Sequence, residues 1–198
     1  MFYRFVRFLG VVICKILFFV RHTDRDRIPA SGGAVICANH RSMWDPVLIA
    51  VTTRRTLAFL AKQELFNNKF LGWALRKLNC YPVRRDGSDL SVVKTAVSLL
   101  KKGEVLLIFP EGQRIRKGKK PVLKSGAFRL AMMAGVPIIP TGIRGNFRWF
   151  RPMHVHYGER VDTMQYKGQR FTEEEYGRFI TDIMNISYKL SEGEKHHD

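Results

Sequence analysis

Cysteines are scarce in this sequence, and the three present lie far apart inside apolar stretches, at Cys14, Cys37 and Cys80. This separation excludes the paired spacing of a cysteine metal site and the framework of a disulfide-stapled fold. The pattern instead predicts buried thiols in a reducing compartment. Internal repeats and low-complexity tracts are also lacking, so a chain of 198 residues fits one domain.

Acidic residues are the second shortage. The chain has 17 of them against 34 lysines and arginines, which gives a net charge of +17 and a pI near 10.3. Such an imbalance predicts a polyanionic partner: nucleic acid, an anionic membrane or a phosphorylated substrate. Neither zinc-finger spacing nor a glycine-rich phosphate loop is present, and the aromatic residues are not interleaved with basic ones. The last feature argues against an RNA-binding sheet.

The first 21 residues are apolar and rich in phenylalanine, but basic residues interrupt them. The longest stretch without a charge in this segment runs from Phe8 to Cys14, far short of the ~20 apolar residues that a spanning helix needs. On a helix, Arg4, Arg7 and Lys15 fall on one side, together with Arg21. This pattern favours a helix lying in the membrane interface, with its basic groups at lipid phosphates. The alternative is a core helix whose basic residues face water.

Strands and helices alternate along the rest of the chain, which predicts an α/β domain with a largely parallel mixed sheet flanked by helices. Strands are expected at 34–38, 57–62, 80–83, 105–109, 136–143 and 153–157. Helices are expected at 46–53, 65–78, 89–101, 126–134 and 172–190. Pro140 inside its strand favours an edge strand or a bulge, and Thr172 is expected to cap the last helix. The predicted division is an anchoring segment at 1–27, a domain at 28–191 and a polar tail at 192–198.

The first candidate site follows the strand at 34–38, in the sequence Asn-His-Arg-Ser-Met-Trp-Asp-Pro. The Asp-Pro pair marks a helix start, with Asp45 as N-cap and Pro46 as first helical residue. His40 and Asp45 therefore lie on a strand-to-helix turn, where α/β proteins hold their ligands. A histidine next to a carboxylate can be a general base with its orienting partner. The alternative is an ordinary helix cap beside an ordinary loop histidine.

Two further groups are candidates for binding an anionic substrate. Glu111, Gly112 and Arg114 follow the apolar strand at 105–109, where Gly112 permits close backbone approach and the Arg114 guanidinium suits a phosphate. Glu111 can bond a substrate hydroxyl or hold Arg114, and the alternative is a structural Glu–Arg pair. Lys62 ends the strand at 57–62, and Arg85, with Arg84, ends the next extended segment; together they predict a phosphate pocket at the same sheet edge. The alternative is that these basic residues are simply solvated.

These residues together resemble the glycerolipid acyltransferases typified by 1-acylglycerol-3-phosphate O-acyltransferase. The family's N-H-x-x-x-x-D block is matched by Asn39, His40 and Asp45. Its strand-closing lysine and following arginine match Lys62 and Arg85. The F-P-E-G-T-R-S block is matched from Phe109 to Arg114, with Gln113 and Ile115 departing from it. The V-P-I-x-P-V block is matched from Val136, with Thr141 departing.

The resemblance implies a monotopic or peripheral enzyme on the cytoplasmic side of the cell membrane. It implies acyl transfer from acyl-CoA or acyl carrier protein to the sn-2 hydroxyl of lysophosphatidic acid, giving phosphatidic acid. His40 would be the base and Asp45 its partner. Substrate binding would involve Lys62, Arg85, Glu111, Gly112 and Arg114. No metal or other cofactor is expected, because a thioester is already activated, and no nucleic acid is expected as a partner.

Three alternatives remain open at this stage. The acceptor can instead be glycerol-3-phosphate or another lysolipid. The chain can be a non-catalytic protein that binds anionic lipid or nucleic acid through its charge. A hydrolase with Ser42 as nucleophile is disfavoured, because no G-x-S-x-G elbow surrounds that serine.

Overall fold

The computed structural model describes residues 2–83, 90–114 and 121–193. Its helices are α1 (Phe2–Phe18), α2 (Asp45–Thr52), α3 (Lys69–Lys77), α4 (Leu90–Lys101), α5 (Gly126–Ala134) and α6 (Glu173–Glu192). Its strands are β1 (Arg21–Thr23), β2 (Ala34–Ala38), β3 (Leu57–Lys62), β4 (Cys80–Val83), β5 (Val105–Ile108), β6 (Ile138–Gly145) and β7 (Met153–Tyr157).

Within these ranges the strands form one sheet in the order β1-β7-β6-β2-β5-β3-β4. Every pairing is parallel except that of β6 with β7. The central strand β2 is buried at all five positions, as expected for a strand covered on both faces. Helices α4, α5 and α6 cover one face around Phe128 and Leu106, and α1 and α2 cover the other around Ile36 and Leu48. The predicted fold class is confirmed.

Two local predictions need correction. Residues 65–78 do not form one helix: a 3-10 turn at Gln63–Phe66 precedes α3, and the Asn68 side chain accepts a hydrogen bond from Leu71 N at 3.0 Å. An asparagine that caps α3 in this way starts a new helix. The expected helix cap at Thr172 is confirmed, since Thr172 and Glu175 form a reciprocal capping box.

Pro140 does not lie in an edge strand, because β6 runs between β7 and β2. The missing N–H of Pro140 is tolerated because this residue lies just past the end of the β6–β7 ladder, which closes with Thr141 opposite Tyr157. The Pro140 carbonyl still accepts a hydrogen bond from Gly158 N at 2.7 Å. The lost donor therefore falls where the pairing is interrupted, between the Thr141–Tyr157 pair and the isolated Ile138–Val161 bridge.

Helix α1 packs on α2 with one face and leaves the other exposed. Cys14 and Phe18 are buried on the inner face. Arg7 also points inward, where its guanidinium donates to the carbonyls of Ala50 and Thr53 at the end of α2. These carbonyls lack helical partners, so a cation there is favourable. Arg7 was predicted to lie at lipid phosphates, and this prediction is wrong.

Among the described residues, none of the helices combines the length and hydropathy needed to cross a bilayer. The predicted divisions at residues 27 and 191 stay predictions, although α6 continues one residue past the second of them.

Candidate active site

The carboxyl ends of three neighbouring parallel strands form the edge of the sheet that carries the candidate site. His40 follows β2, Glu111 follows β5, and Lys62 is the last residue of β3. Open α/β sheets bind their ligands at this edge, where adjacent strand ends open a crevice. The sheet therefore brings the three predicted groups to one side of the molecule.

Two side chains bridge β2 and β6 at this edge. Ser187 of α6 accepts a hydrogen bond from Thr141 N at 3.1 Å and donates to the Cys37 carbonyl at 3.1 Å. Asn39 donates to the Ile143 carbonyl at 3.1 Å and accepts from its N–H at 2.7 Å. These bonds satisfy backbone groups of the two strands, and so fix the start of the turn that carries His40.

His40 and Asp45 meet across that turn. His40 Nδ1 lies 2.9 Å from Asp45 Oδ2, and the imidazole ring stacks on Phe109 with the ring centroids 4.1 Å apart. Because a carboxylate can only accept, Nδ1 carries the proton and Nε2 is left as the basic nitrogen. The His40 side chain is 19% exposed, so the ring is held in place and still reachable.

Asp45 is fully buried and holds more than the imidazole. Its Oδ2 also accepts hydrogen bonds from the backbone N–H groups of Arg41 and Ser42, each at 2.6 Å. The N-cap position of α2 is Trp44, not Asp45 as predicted, and it has no side-chain cap. The Asp45 carboxylate turns back toward the preceding loop, because the N–H groups of Arg41 and Ser42 point at it. The interpretation of Asp45 as a mere helix cap is therefore wrong.

Ser42 does not pair with the candidate base. Its Oγ accepts a hydrogen bond from Trp44 N at 3.2 Å, whereas His40 Nδ1 bonds Asp45. A serine nucleophile needs its hydroxyl bonded to the base, and this geometry does not supply that contact. It disfavours the hydrolase alternative.

Glu111 connects the turn that carries His40 to the last helix. Its Oε2 accepts a hydrogen bond from the His40 backbone N–H at 2.7 Å, and its Oε1 accepts one from the Tyr188 hydroxyl at 2.9 Å. Among the described residues, Glu111 pairs with these two groups and not with Arg114. The carboxylate thus fixes the backbone of His40, and the substrate contact predicted for Glu111 stays a prediction.

Sequence reasoning missed Tyr188, since it lies 77 positions from Glu111 on a helix without any recognised motif. Burial of Glu111 raises its pKa, an effect opposed by the hydrogen bonds from His40 and Tyr188. Burial and the Glu111 charge both raise the pKa of the Tyr188 hydroxyl, which therefore remains a donor at neutral pH.

We expect Glu111→Gln to change the pH dependence of stability in a defined direction. A carboxyl whose pKa is raised by folding stabilises the folded state at low pH, and this stability is lost as pH rises above the ordinary value near 4.5. The glutamine variant has no carboxyl at this position and so does not lose stability in this way. Urea titrations at a series of pH values should show its free energy of unfolding, relative to the wild type, rising as pH increases above about 4.5 and then levelling off. A pH-independent difference would contradict the assignment.

The remaining predicted binding residues lie around this edge. Gly112 has a positive φ of 68°, and its N–H donates to the Phe109 carbonyl at 3.0 Å. A Cβ added at Gly112 would lie 3.1 Å from Lys124 Cε, so a cationic side chain lies against this turn. Arg114 and Lys62 are exposed, and Arg85 lies outside the described residues. The binding roles of all four predicted residues stay predictions.

An apolar cavity of about 260 Å³ lies beside the turn that carries His40 and Asp45. Helices α1 and α2 and strands β3 and β4 line it, and Pro46, which directly follows Asp45, is part of its wall. Its lining residues are Tyr3, Val6, Arg7, Gly10, Pro46, Val47, Ala50, Val51, Phe59, Leu78 and Cys80. Burial raises the pKa of the Cys80 thiol to about 11, which keeps it neutral. The cavity suits a hydrocarbon group.

Comparisons with known proteins agree with this geometry. Residues 19–144 match the family model described as acyltransferase. The 1-acyl-sn-glycerol-3-phosphate acyltransferase of Bacillus subtilis (strain 168) is 35% identical over 64% of this chain and 63% of its own length. That of Streptococcus pneumoniae (strain ATCC BAA-255 / R6) is 34% identical over 73% of this chain and 55% of its own length. Each match therefore spans less than two thirds of the relative's length.

A solved structure is similar over nearly the whole chain. The crystal structure of the 1-acyl-sn-glycerophosphate (LPA) acyltransferase PlsC from Thermotoga maritima superimposes with a TM-score of 0.69 and 26% identity. The match covers 95% of this chain and 80% of that one. The likeness therefore includes α6 and its surroundings, where the sequence carries no motif.

Proposed function

Because this chain belongs to the acyltransferase family, we propose that it transfers a fatty acyl group from an acyl thioester to the sn-2 hydroxyl of 1-acylglycerol 3-phosphate. The observation that carries the proposal is the 2.9 Å contact between His40 and Asp45, inside the region that matches the family model. Two relatives named for this reaction support the choice of acceptor. The product would be phosphatidic acid.

The proposed reaction uses the His40–Asp45 pair. His40 Nε2 removes the proton of the acceptor hydroxyl while Asp45 stabilises the imidazolium that forms. The hydroxyl oxygen attacks the thioester carbonyl carbon, the new C–O ester bond forms, and the C–S bond breaks. The imidazolium then returns its proton to the departing thiolate. The step is direct and leaves no acyl group on the protein.

Basic residues at the sheet edge supply the charge that a phosphate monoester needs. Lys62 lies at the end of β3, and Arg114 follows Glu111 on the exposed turn after β5. Arg85 comes two positions after the last residue of β4 in the sequence. We propose that these three bind the acceptor phosphate, since guanidinium and ammonium groups bind phosphate oxygens through charge-assisted hydrogen bonds.

The membrane is the proposed working surface. The outward face of α1 exposes apolar side chains, among them Phe8, which is 64% exposed. Arg4 and Lys15 flank this face and are exposed as well. A helix with this distribution lies in the interface with its basic groups at phosphates. The proposal is a peripheral or monotopic enzyme on the cytoplasmic face of the cell membrane.

The test is a direct assay of the purified chain. Labelled acyl-CoA and labelled acyl carrier protein are each offered with lysophosphatidic acid, glycerol-3-phosphate or another lysolipid, and products are separated by thin-layer chromatography. Phosphatidic acid from lysophosphatidic acid supports the proposal. A product from a different acceptor alone moves the assignment to that acceptor. If no acceptor gives a product and the chain still binds vesicles, the result supports the alternative of a non-catalytic lipid-binding protein.

The cavity between α1 and α2 gives a prediction on acyl-chain length. Val47 is part of its wall, so Val47→Phe should fill part of it and Val47→Ala should enlarge it. We expect Val47→Phe to lower kcat/KM for long acyl chains about tenfold relative to short ones, since one to two methylene groups are worth this much. Chain-length series on donor and acceptor measure the effect. If Val47→Phe and Val47→Ala changed the chain-length preference equally and in the same direction, the cavity would not be the acyl-chain site.

A further inference from the structure

The loop at residues 146–152, between β6 and β7, carries an aromatic pair between two arginines that the proposed reaction does not use. Its central sequence is Arg148-Trp149-Phe150-Arg151. Trp149 is 70% exposed and Phe150 is 61% exposed, and both arginines are exposed. Adjacent exposed aromatic rings on a loop are unusual for a surface that faces only water.

The loop is fixed to the end of α1. Phe150 N donates to the Leu17 carbonyl at 2.6 Å, and the Phe147 ring packs edge-on against Phe18 with the ring centroids 6.0 Å apart. The rings of Phe19 and Phe150 lie 6.5 Å apart. The aromatic pair therefore continues the exposed apolar face of α1 and does not form a separate patch.

Two of these aromatic residues have an unusual backbone conformation. Phe19 and Phe150 have positive φ angles, 41° and 61°. A bulky residue rarely adopts this region, which costs on the order of 1–3 kcal/mol per residue. Such strain persists where the surrounding structure or a function requires it. At Phe150, the hydrogen bond from its backbone N–H to the Leu17 carbonyl holds this conformation.

The charge distribution indicates what covers this surface. No acidic residue occurs in α1 (Phe2–Phe18) or in the loop at 146–152, the two segments that build it. Acidic side chains concentrate instead on α6, which covers the opposite face of the sheet and begins with Glu173, Glu174 and Glu175. A second copy of this positive surface would be repelled, whereas an anionic bilayer surface attracts it.

The surface also borders the catalytic turn. Phe18 packs against Trp44, with the ring centroids 6.3 Å apart, and Trp44 lies between His40 and Asp45 in the sequence. Trp44 is itself half exposed. A lipid that enters from this side therefore meets the turn that holds the candidate base.

We propose that the loop at 146–152 is a second membrane anchor, beside α1. Trp149 and Phe150 enter the boundary between headgroups and acyl chains, and Arg148 and Arg151 bind anionic lipid phosphates. Aromatic residues favour this depth because their rings are apolar and their edges tolerate water. The anchor orients the enzyme so that its lipid acceptor reaches His40 from the bilayer. This inference rests on the proposed function, since it takes the acceptor to be a membrane lipid.

The first test measures co-sedimentation with phosphatidylcholine vesicles that contain phosphatidylglycerol. The variant is Trp149→Gln with Phe150→Asn, because asparagine tolerates the positive φ of position 150. We expect about a tenfold weaker partition onto vesicles, as two buried rings are lost. The control Met164→Ser removes an apolar residue that is 59% exposed on the layer of α5 and α6. It should bind as the wild type does.

The second test concerns charge. Arg148→Glu with Arg151→Glu should weaken binding about tenfold or more on vesicles with phosphatidylglycerol and much less on phosphatidylcholine alone. The control Lys167→Glu with Arg170→Glu makes the same change in net charge at exposed positions near α6. Equal loss in both double variants would mean that net charge alone drives binding, and would overturn the proposal.

Other outcomes separate this inference from the proposed function. The anchor proposal would be overturned if the Trp149/Phe150 double variant bound vesicles as strongly as the wild type. It would also be overturned if the wild type formed a dimer without lipid and this variant were monomeric. With a monomeric short-chain lysophosphatidate, the variant should keep its turnover within about twofold, because no bilayer is involved. Absence of turnover in the wild type itself would instead overturn the proposed function. Unchanged unfolding midpoints confirm that each variant folds.

Discussion

We expect His40→Ala to lower kcat for acyl transfer about 10²–10⁴-fold, the usual contribution of a general base. The imidazole is the group at this edge whose geometry fits proton removal: Nδ1 is bonded to Asp45 and the ring is stacked on Phe109. Removing it leaves the acceptor hydroxyl without a base but leaves the cavity and the basic residues in place. KM should therefore change little, as measured with labelled donor under steady-state conditions.

The matched control is His22→Ala, an exposed histidine on β1. This variant should keep wild-type turnover, and both variants should bind vesicles as the wild type does. A His40→Ala enzyme with normal kcat would exclude the proposed mechanism. Loss of vesicle binding together with turnover would point instead to a folding defect, which circular dichroism and thermal unfolding would detect.

The second large effect is expected for Asp45→Asn. Asp45 Oδ2 accepts from His40 Nδ1 and from two backbone N–H groups. An asparagine oxygen can keep these bonds, but the amide has no charge with which to stabilise the imidazolium. Its NH₂ group then occupies the position of Oδ1, which is buried and has no partner among the described residues. We expect kcat to fall about 10²–10⁴-fold, by loss of imidazolium stabilisation and orientation.

Stability should fall too, by about 1–3 kcal/mol for one buried unsatisfied donor. Urea unfolding measures this cost, and steady-state kinetics measures the loss in kcat. Asp26→Asn is the control, because Asp26 is a 74% exposed carboxylate that pairs with Arg54 at the surface. A normal kcat for Asp45→Asn, despite reduced stability, would assign Asp45 a structural role alone.

The sequence predicted those features that depend on nearby residues. His40 and Asp45 are five positions apart, so the turn between a strand and a helix is enough to bring them together. The helix at 126–134, ended by Gly135, follows from local periodicity and from a glycine that adopts a positive φ of 68°. The capping box of Thr172 and Glu175 is likewise local. The resemblance to the acyltransferase family is confirmed, since the family model matches residues 19–144.

Features that depend on strand order or on helix docking were beyond sequence reasoning. Pro140 indicated an edge strand or a bulge, and the placement of β6 between β7 and β2 excluded the edge strand. Arg7 was predicted to lie at lipid phosphates with the other basic residues of its helix face, because helical periodicity cannot show which face packs inward. In the structure its side chain reaches the carbonyls at the end of α2.

By itself the sequence determined the α/β class, the net positive charge and the turn that brings His40 to Asp45, since each arises from composition, periodicity or contacts between near neighbours. Only the tertiary structure decided that Glu111 holds the backbone of His40 and that Tyr188, 77 positions away, holds Glu111. It also decided that the loop at 146–152 lies against the end of α1. The physical reason is that such contacts depend on how the helices and loops pack around the sheet, and the spacing of residues along the sequence does not specify that packing.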